Sequence, residues 1–533
     1  MYPVTNTARA VTLRLLAASA VVVAGCSANP SPPPVEENPP QTSAETTTAP
    51  PRSAREEPVR TSLSIGIDPL RNGFNPHLAQ DSTAFVDSLA DLVLPSAFVA
   101  GKMNAALLVS AEPIETPGPQ VAQTVRYILN PEAQWSDGTP VSGNDFVYLW
   151  QSMRDTPGVR GEAAYRAIAD VRTTGGGKTV EVDFHQPVAQ WHELFSHLLP
   201  AHVMQGTGFA EGLRETIPAS AGRYMVRSVD RARGTVELSR NDRFWGQNPA
   251  VTELLVFRPV RGTTEGTDQL RSHQLSYLDI TPAETSEQAF SLVPESRLRQ
   301  VTTGRELALT LSVTSPVLSD AALRETLAGL IDAPALARLA AGRSADVTVP
   351  ERAAAEPDEG ALAALRERAA AQPLRIAADP ADAAASAAVR GAVDSLTRSG
   401  VPAQVVPTDL GDLTARGLAE GEADAVVAWR EGEPSAAQAA GRYLCPQGPT
   451  RGSNLSGYCA PETDAAAGEV LAGAAPPEAL HEVEAREHLS VPLLWETRLM
   501  VAGPEVVGLP EDPEQWQGLS TVAQWEKRGE EQR

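Results

Sequence analysis

Residues Thr124 to Trp150 read TVRYILNPEAQWSDGTPVSGNDFVYLW, and this one block sets most of what the chain can build. Thr124–Leu129 alternates apolar and polar side chains with the period of a half-buried strand. Trp135, Asp137 and Gly138 then supply a tight turn pinned by an indole. Ser142 or Asn144 can cap a helix over 142–153, in which Phe146, Leu149, Trp150 and Met153 share one face. The pattern predicts strand, turn and amphipathic helix in direct succession.

The same period-2 signature recurs at Leu63, Ile65 and Ile67, over Thr179–Phe184 behind a Gly175-Gly176-Gly177 turn, and over Tyr224–Val229, Thr235–Leu238 and Glu253–Phe257. Ala232-Arg233-Gly234 fits a hairpin turn. The first half is therefore expected to be α+β with many short strands. The second half changes character, with Ala-rich helices over Ala321–Leu330 and Ser386–Arg398 alternating with strands at Leu374–Ala377, Gln404–Val406 and Ala425–Ala428. Strand, helix, strand predicts a parallel sheet, and a mixed lobe followed by an α/β lobe is one arrangement that clasps a ligand. Residues 350–372, rich in Ala, Glu and Pro, fit a surface helix or loop.

At 533 residues the chain is long enough for two large units that stabilise themselves by burial. Lys plus Arg is 44 and Asp plus Glu is 67, a net charge of −23 that repels phosphate backbones and excludes a nucleic-acid partner. At the N-terminus Arg9 and Arg14 precede an apolar run, Leu15–Ala24, that closes on Val23-Ala24-Gly25-Cys26. This is the pattern of a lipoprotein signal over 1–25, after which Cys26 would carry diacylglycerol on its thiol and an N-acyl chain. The run is shorter than the ~20 apolar residues of a membrane span, and no later stretch reaches that length. Residues 26–60, rich in Pro, Ser and Thr, cannot form a core and are expected to be an extended tether, with folding from Thr61.

Of the three cysteines, Cys445 and Cys459 remain, 14 residues apart in an exported chain, and are read as a disulfide. Gly175-Gly176-Gly177-Lys178-Thr179 ends like a phosphate-binding loop, but Arg172 stands where the first glycine belongs and a strand follows where a helix should begin. His192-Glu193-Leu194-Phe195-Ser196-His197 has one residue too many for a zinc-protease motif. On a helix its imidazoles would diverge by roughly 140°. No metal, cofactor or catalytic nucleophile is expected.

The block Thr124–Trp150 resembles the signature of the family 5 extracellular solute-binding proteins, in which W-S-D-G-T-P follows a strand and an acidic residue opens a helix carrying Phe and Trp. Gly222-Arg223-Tyr224, Leu238-Ser239-Arg240-Asn241, Arg243-Phe244-Trp245-Gly246, Asp320 with Arg324 and Ile331-Asp332, and Asn454 to Cys459 with Asp464 are similar to further elements of the family, in its order. The resemblance implies a two-lobed, type II periplasmic-binding-protein-like clamp, α/β overall, with lobe 1 over 61–303 plus 491–533 and lobe 2 over 304–490. It implies a monomeric binding protein, not an enzyme. Gly73–Leu78, Leu92–Phe98 and Leu107–Ala111 further resemble a lipoprotein branch of the family that is associated with phosphatidylinositol mannoside and lipoarabinomannan assembly and described as binding a tetramannosylated phosphatidylinositol. That branch implies a lipid-anchored location on the extracytoplasmic face of the cell membrane.

One departure bears on the ligand. Peptide-binding members carry an aspartate three residues after a tryptophan at the end of a second-lobe strand, where it pairs with the peptide α-ammonium. The corresponding tryptophan is Trp429, and position 432 is glycine. Glu431 or Glu433 stands close enough in sequence to substitute, though a buried charge needs a partner within about 4 Å. Trp429 and Arg430 instead suit a pyranose ring and a phosphate, while Trp429 fits core packing equally well. Three readings follow: a glycolipid-binding protein acting with an envelope-biosynthesis membrane enzyme, the capture component of a peptide ABC importer with its permease, or a scaffold acting through protein contacts.

Overall fold

Alternation becomes burial in the strand Ser62–Ile67, where Leu63, Ile65 and Ile67 are fully enclosed while Ser62 is exposed. The computed structural model describes residues 61–352, 358–448 and 450–528. The expected signal, Cys26 and the tether 26–60 lie outside the described residues.

Ser62–Ile67 belongs to a ten-stranded sheet. Its spatial order is Ala403–Pro407, Leu374–Ala378, Ala425–Glu431, Arg297–Leu311, Ser490–Ala502, Tyr277–Ile280, Ser62–Ile67, Leu254–Pro259, Thr235–Arg240, Tyr224–Asp230. The expected strand-helix-strand unit is present: Leu374–Ala378 pairs in parallel with Ala403–Pro407 across the helix Ala383–Arg398, and in parallel with Ala425–Glu431. Parallel pairing stops there, because Ala425–Glu431 next meets Arg297–Leu311 antiparallel. The second-half sheet is thus mixed where the sequence predicts a parallel one.

Arg297–Leu311 and Ser490–Ala502 are the longest strands and join the two halves of the molecule. Leu307, Leu309, Leu311, Val491, Leu493 and Leu494 enter one core with the Ala-rich helices Ala321–Leu330 and Ala383–Arg398. Met500 and Ala502 enter the other, built on Leu63, Phe146, Trp135 and Phe257. The pairing register breaks between Thr302 and Glu306, opposite Thr497 and Trp495, where the strands pass from one core to the other. The return crossing therefore falls beyond the 490/491 boundary expected from sequence, since Val491–Leu494 bury in the second core. The helices Ala436–Gly441 and Pro461–Leu471 lie within 304–490 but pack on the first core through Ala437, Ala440 and Val470.

A second, four-stranded antiparallel sheet holds Leu108–Ile114, Gln123–Leu129, Thr179–Phe184 and Ile168–Thr174. The helix Gly143–Asp155 covers it with Phe146, Leu149, Trp150 and Met153 buried, the face expected from sequence. Asp145 ties the motif together by accepting from Ser142 N at 2.9 Å, Ala201 N at 2.9 Å and Trp135 Nε1 at 3.3 Å. These motif residues build the lobe. Gly175, Gly176 and Gly177 all take positive φ in the hairpin that joins Ile168–Thr174 to Thr179–Phe184. Lys178 donates to the carbonyls of Asn130, Ala133 and Val141, which engages its ammonium within the fold.

Cys445 and Cys459 form a disulfide with their Cα atoms 4.8 Å apart. Closing a loop of this size stabilises the folded chain by about 3 kcal/mol in the chain-entropy account. A Cys445→Ser, Cys459→Ser variant is expected to lose that amount, read as a lower midpoint in thermal unfolding. No change in midpoint would assign the loop's order to its hydrogen bonds alone.

Candidate ligand cleft

The strand Ala425–Glu431 carries the expected site residues to the junction of the lobes, and its alternation separates them. Leu307 is paired with Trp429, Glu306 with Arg430 and Arg305 with Glu431. Trp429 therefore shares a face with Leu307 and Val427, and its indole packs at the rim of the second core. The Arg305 guanidinium lies 5.5 Å above that ring, and the indole Nε1 is buried without a hydrogen-bond partner. Trp429 is half-buried: it packs on the second core and also lines the cavity between the lobes. Arg430 sits on the opposite face, with Ala428, and Trp429, Arg430 and Glu431 all border a cavity of about 100 Å³ between the lobes.

Arg430 Nε donates to Glu306 at 2.7 Å and its Nη2 to Ser490 Oγ at 3.1 Å, so this side chain is already engaged. Glu431 accepts from Arg160 Nη1 at 3.2 Å across the lobes. Glu433 is exposed and lies off the cavity wall, so it does not substitute for the missing aspartate. A side chain at that position would require the Trp495 indole to move, because a Cβ on Gly432 would collide with its ring.

The rest of the cavity comes from residues that sequence reasoning missed. Arg160 donates to Asp87 at 2.8 Å, Ser82 Oγ at 2.8 Å and the Pro76 carbonyl at 2.7 Å. Both oxygens of Glu484 are taken, one by Ser490 N at 2.7 Å and the other by Tyr443 OH at 3.1 Å. Arg442 differs. Its guanidinium donates to the backbone carbonyl of Glu431 and forms no ion pair with a carboxylate among the described residues. Burial, and then the neighbouring Arg430, push it down to about 10. No local pattern marks Arg160, Arg442, Tyr443 or Glu484, which reach the cavity only through the fold.

The lobes are clasped around this cavity. Arg71 pairs with Asp382 at 2.7 Å, Ser453 N and Oγ donate to Glu162 at 2.8 and 2.7 Å, and Arg305 Nη2 donates to the Ser82 carbonyl at 3.0 Å. Two larger cavities adjoin the junction, one of about 390 Å³ beside Arg160 and Glu431, the other of about 780 Å³ beside Asn72, Asp81 and Asp409. The segment His192–His197 is not a helix beyond the turn Trp191–Glu193. His197 Nε2 lies 2.8 Å from Asp91, while His77 Nε2 lies 3.0 Å from the His197 carbonyl.

Asp81, on the wall of the cavity of about 780 Å³, accepts from Gly73 N and Asn75 N, and burial pushes its carboxyl up to about 6 from 3.8. Between those values the folded chain holds a proton that the unfolded chain has released. This contribution is greatest at and below the unfolded value and is lost as pH rises through about 6. Going from pH 7.5 to pH 5, the wild-type chain is expected to gain roughly 1.4 kcal/mol in urea unfolding relative to Asp81→Asn. Equal gains in both chains would rule out Asp81 as the source.

Two lobes joined by a pair of long crossing strands, with charged side chains meeting over a cavity between them, define a two-lobed binding protein of the periplasmic type. Residues 120–387 match the family described as bacterial extracellular solute-binding proteins, family 5 (middle section), and the chain belongs to that family. It is a solute-binding protein and not an enzyme. Over 359 residues it is 33% identical to the probable monoacyl phosphatidylinositol tetramannoside-binding protein LpqW of Mycobacterium tuberculosis, a match to 65% of this chain and 54% of that protein. It is 26% identical over 297 residues to the oligopeptide-binding protein OppA of M. tuberculosis, 52% of this chain and 48% of that one. The matches thus span about half the length of each relative. The structure of the binding protein AgaA from A. tumefaciens R10 in complex with agropinic acid superposes with a TM-score of 0.69 at 15% identity, covering 88% of this chain and 99% of that one, a likeness of fold.

Proposed function

We propose that the chain binds the head group of a mannosylated phosphatidylinositol between its lobes. In this reading it is anchored through acylated Cys26 to the extracytoplasmic face of the cell membrane as a monomer, and acts with an envelope-biosynthesis membrane enzyme to influence phosphatidylinositol mannoside and lipoarabinomannan assembly. The observation that carries the reading is Arg442, a guanidinium at the cavity with one backbone hydrogen bond and no direct ion pair to a carboxylate among the described residues. Around it Arg430 is matched by Glu306 and Arg160 by Asp87 and Glu431, while Glu484 is hydrogen-bonded at both oxygens. One cation without a direct ion pair, among charges that have one, suits a ligand with a single phosphodiester and many hydroxyls. The 33% identity to LpqW, named for a phosphatidylinositol tetramannoside, supports the same chemistry.

The second reading, capture of peptides for an ABC importer, is favoured by the likeness to OppA. A peptide α-ammonium needs an open carboxylate, and Gly432 with Trp495 packed against it leaves none at the family's position. Native mass spectrometry of the purified chain, incubated with envelope lipid extract, decides between the two. A retained phosphatidylinositol mannoside supports the first reading. Retained peptides overturn it in favour of the importer, and an empty chain overturns both in favour of a scaffold. Within the first reading, Arg442→Gln is expected to weaken binding by roughly ten- to a hundredfold in titration calorimetry, the range for a hydrogen bond to a charged group.

A further inference from the structure

The cavity between the lobes, at about 100 Å³, is smaller than the roughly 300 Å³ at which pockets begin to enclose a ligand of several rings. A multi-ring head group must extend out of it. The cavity of about 390 Å³ shares Arg160, Gly161, Glu431 and Gln438 with it, so the two spaces meet at the Arg160–Glu431 ion pair. We infer that this larger chamber is a second subsite that takes the outer sugar rings of the ligand. The inference rests on the glycolipid reading above and extends it.

The walls suit a glycan. Phe98 and His192 stand edge to face with ring centroids 6.0 Å apart, presenting two half-buried aromatic surfaces of the kind on which pyranose rings stack. Ser196, Glu193 and the amide of Gln438 add donors and acceptors for hydroxyls. Arg160 Nε is buried without a partner at the boundary of the two spaces. The wall is also held in a costly shape. Phe195 and His197 both adopt left-handed backbone conformations, with φ of 58° and 48°. They are kept there by hydrogen bonds from Phe195 N to Tyr165 OH at 2.8 Å and from His197 N to Ser96 Oγ at 2.9 Å. Local strain maintained by specific bonds is characteristic of ligand-holding segments. The chamber opens beside the Ala100-Gly101 turn, so a chain of sugars can enter from solvent.

The test compares two probes on the full chain by titration calorimetry: deacylated phosphatidylinositol dimannoside and the corresponding tetramannoside. Ser196→Trp fills the chamber, and His192→Ala removes one aromatic surface. The expected result is that the wild-type chain prefers the tetramannoside and that each variant lowers the ratio of tetramannoside to dimannoside affinity, by about tenfold for Ser196→Trp. If Ser196→Trp proves unstable in thermal melts, the ratio in His192→Ala decides. An unchanged ratio in the folded variants overturns the chamber and leaves the glycolipid reading standing. A wild-type chain that binds neither probe overturns both.

Discussion

Replacing Arg498 with methionine is expected to cost about 4 kcal/mol of folding stability at neutral pH, within the range for breaking a buried ion pair from one side. Arg498 lies in the strand Ser490–Ala502 and is almost fully buried. Its Nε donates to Asp279 Oδ1 at 2.9 Å, its Nη2 to the Asp279 carbonyl at 2.6 Å, and its Nη1 to Thr281 Oγ1 at 3.1 Å and to Asp68. One guanidinium thus joins three neighbouring strands of the large sheet and compensates two carboxylates. Burial alone would raise the Asp68 carboxyl, but Arg498 and the hydrogen bonds from Thr281 outweigh it and hold it below the usual range. Asp279 is raised by burial even with Arg498 beside it.

Without Arg498 both carboxyls would bind protons more readily in the folded chain than in the unfolded one. The loss in Arg498→Met is therefore expected to be largest above neutral pH and to shrink as pH falls toward the unfolded carboxyl value. Urea unfolding at pH 7.5 and pH 5 reads the difference. The same loss at both values would mean that packing, and not charge compensation, is the role of this residue.

The parts of the fold legible in the sequence are those whose pattern is set by a single environment. Ser62–Ile67, Thr179–Phe184 and Gly143–Asp155 each bury one face against one core, so period 2 or period 3.6 survives along their length. Arg297–Leu311 and Ser490–Ala502 are not legible in the sequence for the opposite reason. Each leaves one core and enters another across a register break, and the polar stretch RLRQVTTGRE hides a strand whose last seven residues are all buried. The candidate site divides in the same way. Trp429 and Arg430 were visible as the end of a strand, but their partners stand more than a hundred residues away at Glu306 and Arg305. Arg442 is not legible in the sequence, because what distinguishes it is the lack of a direct ion pair among the described residues, which no local pattern reports.

Removing the Arg305 side chain is expected to open the clamp as well as weaken the fold. Arg305 follows the register break in Arg297–Leu311 and touches each part of the closed structure: Glu496 on the other crossing strand at 2.8 Å, the carbonyl and hydroxyl of Ser82 in the first lobe at 3.0 and 3.2 Å, and the Trp429 ring in the second. Ser82 Oγ also accepts from Arg160, whose other bonds reach Asp87 and Glu431. Trp429, Arg305, Ser82, Arg160 and Glu431 thus form one chain of contacts, in which the Arg305–Ser82 and Arg160–Glu431 links cross from one lobe to the other. In Arg305→Ala this chain is cut, and the nearly buried Glu496 loses its only ion-pair partner among the described residues. A loss of about 3 to 5 kcal/mol is expected, together with a larger radius of gyration in solution scattering. Ligand affinity should fall in proportion to the closed fraction. The double variant Arg305→Ala, Glu496→Gln separates the two effects. Neutralising Glu496 removes the uncompensated charge, so stability should return, whereas the contacts to Ser82 and Trp429 stay broken and affinity should remain low. If affinity returns together with stability, Arg305 acts only through Glu496 and the closure of the lobes is controlled elsewhere.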